Sequence, residues 1–359
     1  MLFGIDVFLI AGILIKILLV VGISQGAVAY LILVERKVAA YAQDRIGPNR
    51  CGMQFGLPFG LLQPLADGAK MLLKEDVIPK YVDKPVYLLA PMIAIIAATI
   101  SFAVIPFGPV GPNGPHLFDG PIQFQIAPGI DVGMVYVFAV GSLGVYSIIL
   151  AGWSSNNKYA FLGGLRSSAQ LISYEIPMGL SVIGMVLVAR SLDLNQIVEW
   201  QDRNVWGIVA QPLGFLLFLI SAFAETNRLP FDLPESEQEL VGGFHTEYSA
   251  MKFGMFFLGE YLNIITVCFM TVAIFLGGWD LPFVTDASQT GWFWAIFKLL
   301  VFVGKVGLMI VFVMWIRWTL PRFRYDQLMD LAWKTMIPLS LVNLVVTATL
   351  IQLIWRSHT

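Results

Sequence analysis

Long apolar stretches of roughly 20 residues recur along the 359-residue chain and alternate with shorter polar segments. A helix needs about 20 apolar residues to cross the hydrocarbon core of a bilayer. The pattern therefore predicts an all-α integral membrane protein with about eight transmembrane helices, of which the fifth is the shortest. The predicted spans are residues 8–33, 86–107, 132–152, 169–190, 205–224, 253–279, 292–316 and 335–355.

The composition supports a membrane protein over a soluble one. Hydrophobic residues make up 57% of the chain and charged residues only 13%, whereas a soluble domain carries about 25% charge. No basic domain or arm is present, so nucleic-acid binding is not expected. We interpret residues 1–359 as a single polytopic membrane domain embedded in membrane lipid.

The cysteines and histidines do not form a recognisable metal-binding pattern. The chain has two cysteines and three histidines, all far apart in sequence. Zinc and iron–sulfur sites are usually built from several such ligands at short spacings. We therefore predict no metal and no redox centre bound by this chain alone.

The distribution of positive charge predicts the orientation of the spans. Sixteen of the Lys and Arg residues lie in the segments after the first, third, fifth and seventh predicted spans, and only three lie on the opposite side. The positive-inside rule places the side with sixteen in the cytoplasm. With eight spans, both termini are then predicted on the outer, periplasmic side of a bacterial inner membrane.

The first inner segment, residues 35–85, contains a candidate amphipathic helix. Its polar residues Gln63, Asp67, Lys70 and Lys74 recur at steps of four, three and four, which places them on one helical face. The rest of this helix is mainly leucine and alanine. The pattern fits a helix at the membrane surface and equally a helix packed on a partner protein.

Carboxylates within or at the ends of the spans are unusual, because a charge inside the membrane costs about 2.5–3.5 kcal/mol on insertion scales. The predicted sidedness places four glutamates in the same inner half of the membrane, two of them roughly 10 Å deep. Lys298 and Lys305, seven residues apart in the seventh predicted span, are candidates for counter-charges. The four glutamates are Glu35, Glu175, Glu225 and Glu260.

These glutamates have two interpretations. Carboxylates held close together in the membrane can take up and pass on protons near neutral pH. The alternative is simple ion pairing, of Glu35 with Arg36 or Lys37 and of Glu225 with Arg228. The other two glutamates have no basic residue nearby in sequence, which favours proton handling for them.

Residues 225–252 form an acidic inner loop. Prolines break the preceding helix, and Asp232 and Glu235 have the spacing of a helix cap with an acid at the third position. The apolar residues among these acids predict that partner proteins cover the loop. The acids after Glu225 are Asp232, Glu235, Glu237, Glu239 and Glu247.

Several of these segments resemble one family. The stretch PFDLPESEQELVGGFHTEYSAMKF closely resembles a signature of the H or ND-one subunit of respiratory complex I, the proton-pumping NADH:quinone oxidoreductase, and GLLQPLADGAK resembles a second signature. Further similar segments follow in order from Glu35 to the last span. They are ERKVAAYAQDRIGPNRCG, SYEIP, FAETNRLPFD, FLGEY and RWTLPRFRYDQLMDLAWK.

The resemblance implies a subunit of an enzyme complex. It implies that the chain lies at the junction with the hydrophilic arm and forms much of the quinone entry chamber. Quinone is then the substrate, the FMN and the iron–sulfur clusters belong to partner subunits, and this chain couples quinone reduction to proton translocation.

Residues that match the family's motifs fall into three groups. The first is the proton path, formed by Glu35, Glu175, Glu225 and Glu260. The second is the quinone-facing acidic loop, formed by Asp232, Glu235, Glu237, Glu239 and Glu247. The third is the quinone chamber or the contact with partner subunits, formed by Arg36, Arg45, Asp67, Arg228, Arg322 and Arg324.

Three other functions remain open at this point. A membrane subunit of a membrane-bound hydrogenase-like complex shares the same fold, and its co-purifying hydrophilic subunits would identify it. A stand-alone secondary transporter would need a midplane substrate site and no obligate partners. A structural anchor would use the buried glutamates for assembly only.

Overall fold

The computed structural model describes residues 7–53, 56, 58–108, 116–117, 120–121, 125–233, 241–282, 284 and 291–358. Within these ranges the chain is almost entirely helical. Its α-helices are α1 (Val7–Ala42), α2 (Gln63–Leu73), α3 (Lys84–Ile100), α4 (Gly133–Ser154), α5 (Lys158–Ala189), α6 (Leu194–Arg203), α7 (Gly207–Ala210), α8 (Pro212–Glu225), α9 (Ala250–Phe275), α10 (Trp292–Thr319), α11 (Tyr325–Asp330) and α12 (Ile337–His358).

Shorter elements connect these helices. Turns of 3₁₀ helix follow α3 at Ser101–Ala103 and precede α9 at Gly243–His245, and a π-helical turn at Leu331–Met336 joins α11 to α12. A two-residue antiparallel strand pair, His116–Leu117 with Gly120–Pro121, lies in the loop between α3 and α4.

Seven helical stretches in the described part of the chain are long and apolar enough to cross a membrane: α1, α3, α4, α5, α9, α10 and the continuous stretch from α11 into α12. This confirms an all-α integral membrane protein. The fifth predicted span is α8, which has only 14 residues. It is preceded by the single turn of α7 rather than by a longer helix.

Two helices extend well beyond their predicted apolar spans on one side. The first helix continues to Ala42, and α5 begins at Lys158 rather than near residue 169. At the start of α5 the Asn157 side chain accepts a hydrogen bond from the Tyr159 backbone N–H at 3.0 Å. This cap stabilises a polar first turn that hydropathy alone does not count as part of a span.

The most enclosed of the long helices is α9, which packs against α1, α3, α8 and α10. A second layer is formed by α3, α4, α5 and α8, and α12 packs on the outside of α5. A small buried polar cluster joins α12 to α8. In it Gln211 donates to Thr347 Oγ1 at 2.8 Å and accepts from Asn343 at 3.1 Å.

The predicted amphipathic helix is α2, and it lies at the surface. None of its residues is buried, and Leu65, Leu72 and Leu73 are strongly exposed. Its polar face turns toward the protein, where Asp67 forms an ion pair with Arg36 of α1 at 2.8 Å. Whether membrane lipid or a partner protein covers the leucines stays a prediction.

Two glycines position the loop that precedes α9. A Cβ atom placed on Gly163 of α5 would lie 2.7 Å from the Cα atom of Gly243, which has a φ of +63°. A Cβ atom at position 163 would collide with the backbone at Gly243, so this contact requires glycine on α5. The acidic loop is thereby seated directly against the first half of α5.

Candidate functional site

Glu35, near the end of α1, lies in a buried cluster of charged groups. The residue is only 6% exposed. Its Oε1 atom lies 3.6 Å from Nη1 of Arg228 and also contacts Nη1 of Arg317. Its Oε2 atom accepts a hydrogen bond from the Tyr261 hydroxyl of α9. Two cations and one hydroxyl thus compensate a carboxylate that would otherwise be expensive to bury.

Arg228, just after α8, connects this cluster to a second carboxylate. Its Nε atom contacts Oε1 of Glu260 on α9. The side chain is 3% exposed, and its guanidinium carbon lies 4.5 Å from the centroid of the Tyr261 ring. The guanidinium of Arg228 thus lies within ion-pair distance of two carboxylates, with Nη1 toward Glu35 and Nε toward Glu260.

Three of the four glutamates line one space, here called the carboxylate cavity. It has a volume of about 90 Å³ and is lined by Glu175 of α5, Glu225 of α8 and Glu260 of α9, together with His245 and Asn263. A polar space of this size can hold a few water molecules. Glu225 also lines a smaller adjoining cavity of about 30 Å³.

The fourth glutamate lines a larger space, here called the arginine cavity. It has a volume of about 670 Å³ and lies between α1, α2, α9 and the end of α10. Its lining combines apolar side chains, most of them from α9, with charged groups from the other elements. The charged groups are Glu35, Arg36, Arg45, Asp67, Lys70, Arg228 and Arg317, and the apolar ones include Met71, Met251, Phe253, Phe257, Leu258 and Trp318.

The two cavities are joined through contacting side chains. Glu35 lines the arginine cavity and Glu260 lines the carboxylate cavity. Arg228 contacts both glutamates. One guanidinium therefore links the charge in one cavity to the charge in the other.

The ion pairs expected from sequence neighbours are wrong. Arg36 pairs with Asp67 rather than with Glu35. Arg228 contacts Glu35 and Glu260, although Glu260 has no basic residue nearby in sequence. The reason is geometric, because α1 and α8 both pack against α9 and bring residues that are distant in sequence together.

The lysines of α10 do not both serve as the expected counter-charges. Lys305 donates to the backbone carbonyls of Leu276, at 2.6 Å, and of Asp280. It also lies 4.4 Å from the Trp206 ring centroid. A cation at the carbonyl end of α9 is favourable, and this position is remote from the four glutamates. Lys298 is buried.

The acidic loop is described only at its two ends. Asp232 forms an ion pair with Arg322 at 3.0 Å, and Phe231 stacks on Phe323 with 5.5 Å between ring centroids. Glu247 accepts a hydrogen bond from Asn157 at 2.6 Å. Glu235, Glu237 and Glu239 lie outside the described residues, and their placement stays a prediction.

The residues predicted for a chamber or for partner contacts separate into two groups. Arg36, Arg45, Asp67 and Arg228 line the arginine cavity. Arg322 instead holds the start of the acidic loop, and Arg324 forms an exposed pair with Asp326 at 3.2 Å. All residues of the first group thus line the arginine cavity, whereas Arg322 and Arg324 are not among its described lining residues.

One cavity residue was not predicted from the sequence. His245, in the 3₁₀ turn before α9, lines the carboxylate cavity. Burial among aromatic rings lowers the pKa of His245 to about 4, so the imidazole is neutral at physiological pH. An isolated histidine carries little signal in one sequence, and only its place in an otherwise acidic loop distinguishes it.

Metal binding is not indicated in the described part of the chain. No group of three or more His, Cys, Asp or Glu residues there is arranged to hold a metal ion. The clustered glutamates are compensated by arginine and tyrosine or lie beside cavity space.

Comparisons with known proteins give a consistent result. The profile of a family described as NADH dehydrogenase matches residues 15–348. A protein of Geobacter metallireducens, named as an H subunit of NADH-quinone oxidoreductase, is 48% identical over 346 residues, which cover 94% of this chain and 95% of that protein. A relative of the same name from Geobacter sulfurreducens is 47% identical and covers 98% of both chains. Another, from Leptospira biflexa, is 48% identical and covers 95% of both.

Proposed function

This chain belongs to the NADH dehydrogenase family as an H-type membrane component of NADH-quinone oxidoreductase, which is respiratory complex I, and we propose that it forms the quinone chamber and couples quinone reduction to proton translocation. The other subunits of the complex are its partners. The proposal places the chain in the bacterial inner membrane, with the acidic loop on the cytoplasmic side.

The arginine cavity has the properties required for a quinone. Ligand cavities commonly measure about 300–1,000 Å³ and combine an apolar lining with a few polar groups, and this one measures about 670 Å³. Phe253, Phe257 and Leu258 provide a surface for an apolar tail or ring. Arg36 and Arg228 provide donors for quinone oxygens, which become more basic as the ring is reduced.

Coupling to protons rests on one observation, the contact of Arg228 with both Glu35 and Glu260. Reduction of a quinone to a quinol takes up two electrons and two protons. Any charge that forms beside Glu35 during this reaction changes how strongly Glu35 attracts Arg228. The attraction between Arg228 and Glu260 then changes in the opposite sense. The proton affinity of Glu260, which lines the carboxylate cavity, changes with it.

The four glutamates then form an ordered route. Glu35 responds to the quinone, and Glu260 carries the change to Glu225 and Glu175 across the carboxylate cavity. The chain's own part is electrostatic and proton-conducting. The electrons come from the FMN and iron–sulfur clusters that we assign to partner subunits.

The test is a pair of substitutions in the assembled complex. Glu225→Gln and Glu260→Gln keep the shape of the side chain and remove its ability to carry a proton. Glu199→Gln is the matched control, because Glu199 pairs with Arg203 at 3.6 Å on the exposed face of α6, away from both cavities. NADH:quinone activity and proton translocation are measured together in sealed vesicles.

We expect both cavity variants to lose most proton translocation and coupled turnover, with the control at the wild-type level. Assembly is checked by the amount of intact complex and by NADH oxidation with an artificial acceptor. Wild-type translocation in an assembled Glu225→Gln complex would remove the carboxylate cavity from the coupling route.

A further inference from the structure

The carboxylate cavity contains one proton-binding side chain that is not a carboxylate. Among its described lining residues, only His245 and the three glutamates can bind and release a proton. The hydroxyls of Ser142, Ser147 and Thr226 donate to backbone carbonyls of their own helices. These hydroxyls can therefore accept a hydrogen bond from water but have no proton free to donate.

The turn that carries His245 is held firmly. Thr246 donates through its side chain to the Gly243 carbonyl at 2.7 Å, and the Tyr248 N–H donates to the His245 carbonyl at 3.0 Å. The close contact of Gly243 with Gly163 fixes the same turn to α5. The backbone thus delivers the imidazole to the cavity without relying on the rest of the acidic loop.

Three aromatic rings surround the imidazole. The ring centroids of Phe244, Phe253 and Phe257 lie 5.1, 5.2 and 6.4 Å from that of His245. This surrounding keeps the ring neutral. A neutral imidazole has one N–H donor and one bare nitrogen acceptor.

We propose that His245 is a fourth proton-transfer group of the carboxylate cavity, through which protons pass between the acidic loop and the three glutamates that line the cavity. The inference rests on the proposed function, because it adds a residue to that route. One ring nitrogen accepts a proton from a carboxylic acid or a cavity water, forming an N–H bond. The N–H bond on the other nitrogen breaks and releases a proton to the next acceptor, so the ring stays uncharged overall. Return of the ring to its starting tautomer completes the cycle.

The groups that face His245 support this role. Glu175, Glu225 and Glu260 line the same cavity from α5, α8 and α9. Glu247, two residues further along the loop, is held by Asn157 at the protein's inner end. His245 therefore lines the cavity together with the three glutamates and precedes by two residues Glu247, which is one of the two described acids of the loop after Glu225.

The test uses four variants of the complete complex in sealed vesicles. His245→Asn keeps polarity without the ability to relay a proton, and His245→Phe keeps an aromatic ring for packing. His245→Ala and His245→Gly leave space for an added imidazole. Added 1-methylimidazole is the control compound, because its basicity is similar but it has no N–H to release.

We expect all four variants to assemble and to translocate protons at least about tenfold more slowly, a conservative bound because a positioned proton-transfer group typically contributes roughly 100- to 10,000-fold. Imidazole should restore the Ala or Gly variant in a concentration-dependent way, and 1-methylimidazole should not. A wild-type rate of proton translocation in His245→Phe would show that the ring serves only for packing and would overturn the proposal. Wild-type rates in His245→Asn would overturn it as well, and this variant decides the question if the smaller ones fail to assemble.

The outcome is separable from that of the proposed function. Normal translocation in Glu225→Gln would reject the carboxylate route itself. A defect in Glu225→Gln together with normal translocation in His245→Asn would reject only the role of His245.

Discussion

The guanidinium of Arg228 lies over the ring of Tyr261, with its carbon 4.5 Å from the ring centroid. The hydroxyl of the same tyrosine donates to Glu35. Tyr261 therefore contacts both members of the Arg228–Glu35 pair, one through its face and the other through its edge. A cation–π contact of this kind is strengthened where water is excluded, so the tyrosine helps to hold Arg228 between its two glutamates.

Replacement of Arg228 by Gln should be severe. The change leaves Glu260 without this partner and leaves Glu35 with Arg317 and the Tyr261 hydroxyl. Loss of one partner from a buried ion pair costs roughly 3–5 kcal/mol. We expect little intact complex and little NADH:quinone activity. The amount of assembled complex on native gels and the activity per complex measure the two effects separately.

Arg228→Lys is the informative companion. Lysine keeps the charge but cannot present two edges to two carboxylates. We expect the complex to assemble with reduced coupling. Full coupling in this variant would show that the bridging geometry is unnecessary.

Gly163→Ala should displace the acidic loop. The added methyl would lie 2.7 Å from the Cα atom of Gly243, and such overpacking costs about 1–3 kcal/mol. Gly179→Ala is the matched control on the same helix, because a Cβ atom there meets nothing within 4 Å. Thermal stability of the complex and proton translocation should fall in the first variant only.

Asp67→Asn should affect quinone handling more than stability. The Arg36–Asp67 pair is partly exposed, with 45% and 26% of the side chains accessible, so its loss should cost only about 0–1 kcal/mol. Because both residues line the arginine cavity, we expect a higher KM for a soluble quinone analogue. Arg203→Gln, which breaks the exposed pair with Glu199, should leave this KM unchanged.

The sequence predicted the helices because they depend on apolar length and local periodicity, whereas the depth of the glutamates in the membrane stays a prediction. The short α8 was also expected, since the fifth apolar stretch is the weakest. The start of α5 was missed, because the span was predicted from apolar residues alone, whereas the helix begins with the Asn157 cap and a polar first turn.

The pairing within the site could not be predicted. Contacts of Arg228 with Glu35 and Glu260 depend on how α1, α8 and α9 pack, whereas sequence neighbours offered Arg36 and Glu225 as partners. His245 was overlooked for the same reason, since a lone histidine gains meaning only from the cavity that it lines. The central part of the acidic loop remains a sequence prediction.

The shortness of α8 has an electrical consequence. A helix of 14 residues rises about 21 Å, roughly 9 Å less than the hydrocarbon core, so at least one of its ends stops inside the membrane. Its last residue is Glu225, which shares a cavity with Glu175 near the middle of α5. A charge held inside the membrane senses a fraction of the membrane voltage, the whole of which is worth roughly 2.3 kcal/mol per charge per 100 mV. Loading of Glu225 should therefore depend on the voltage that the complex itself helps to generate.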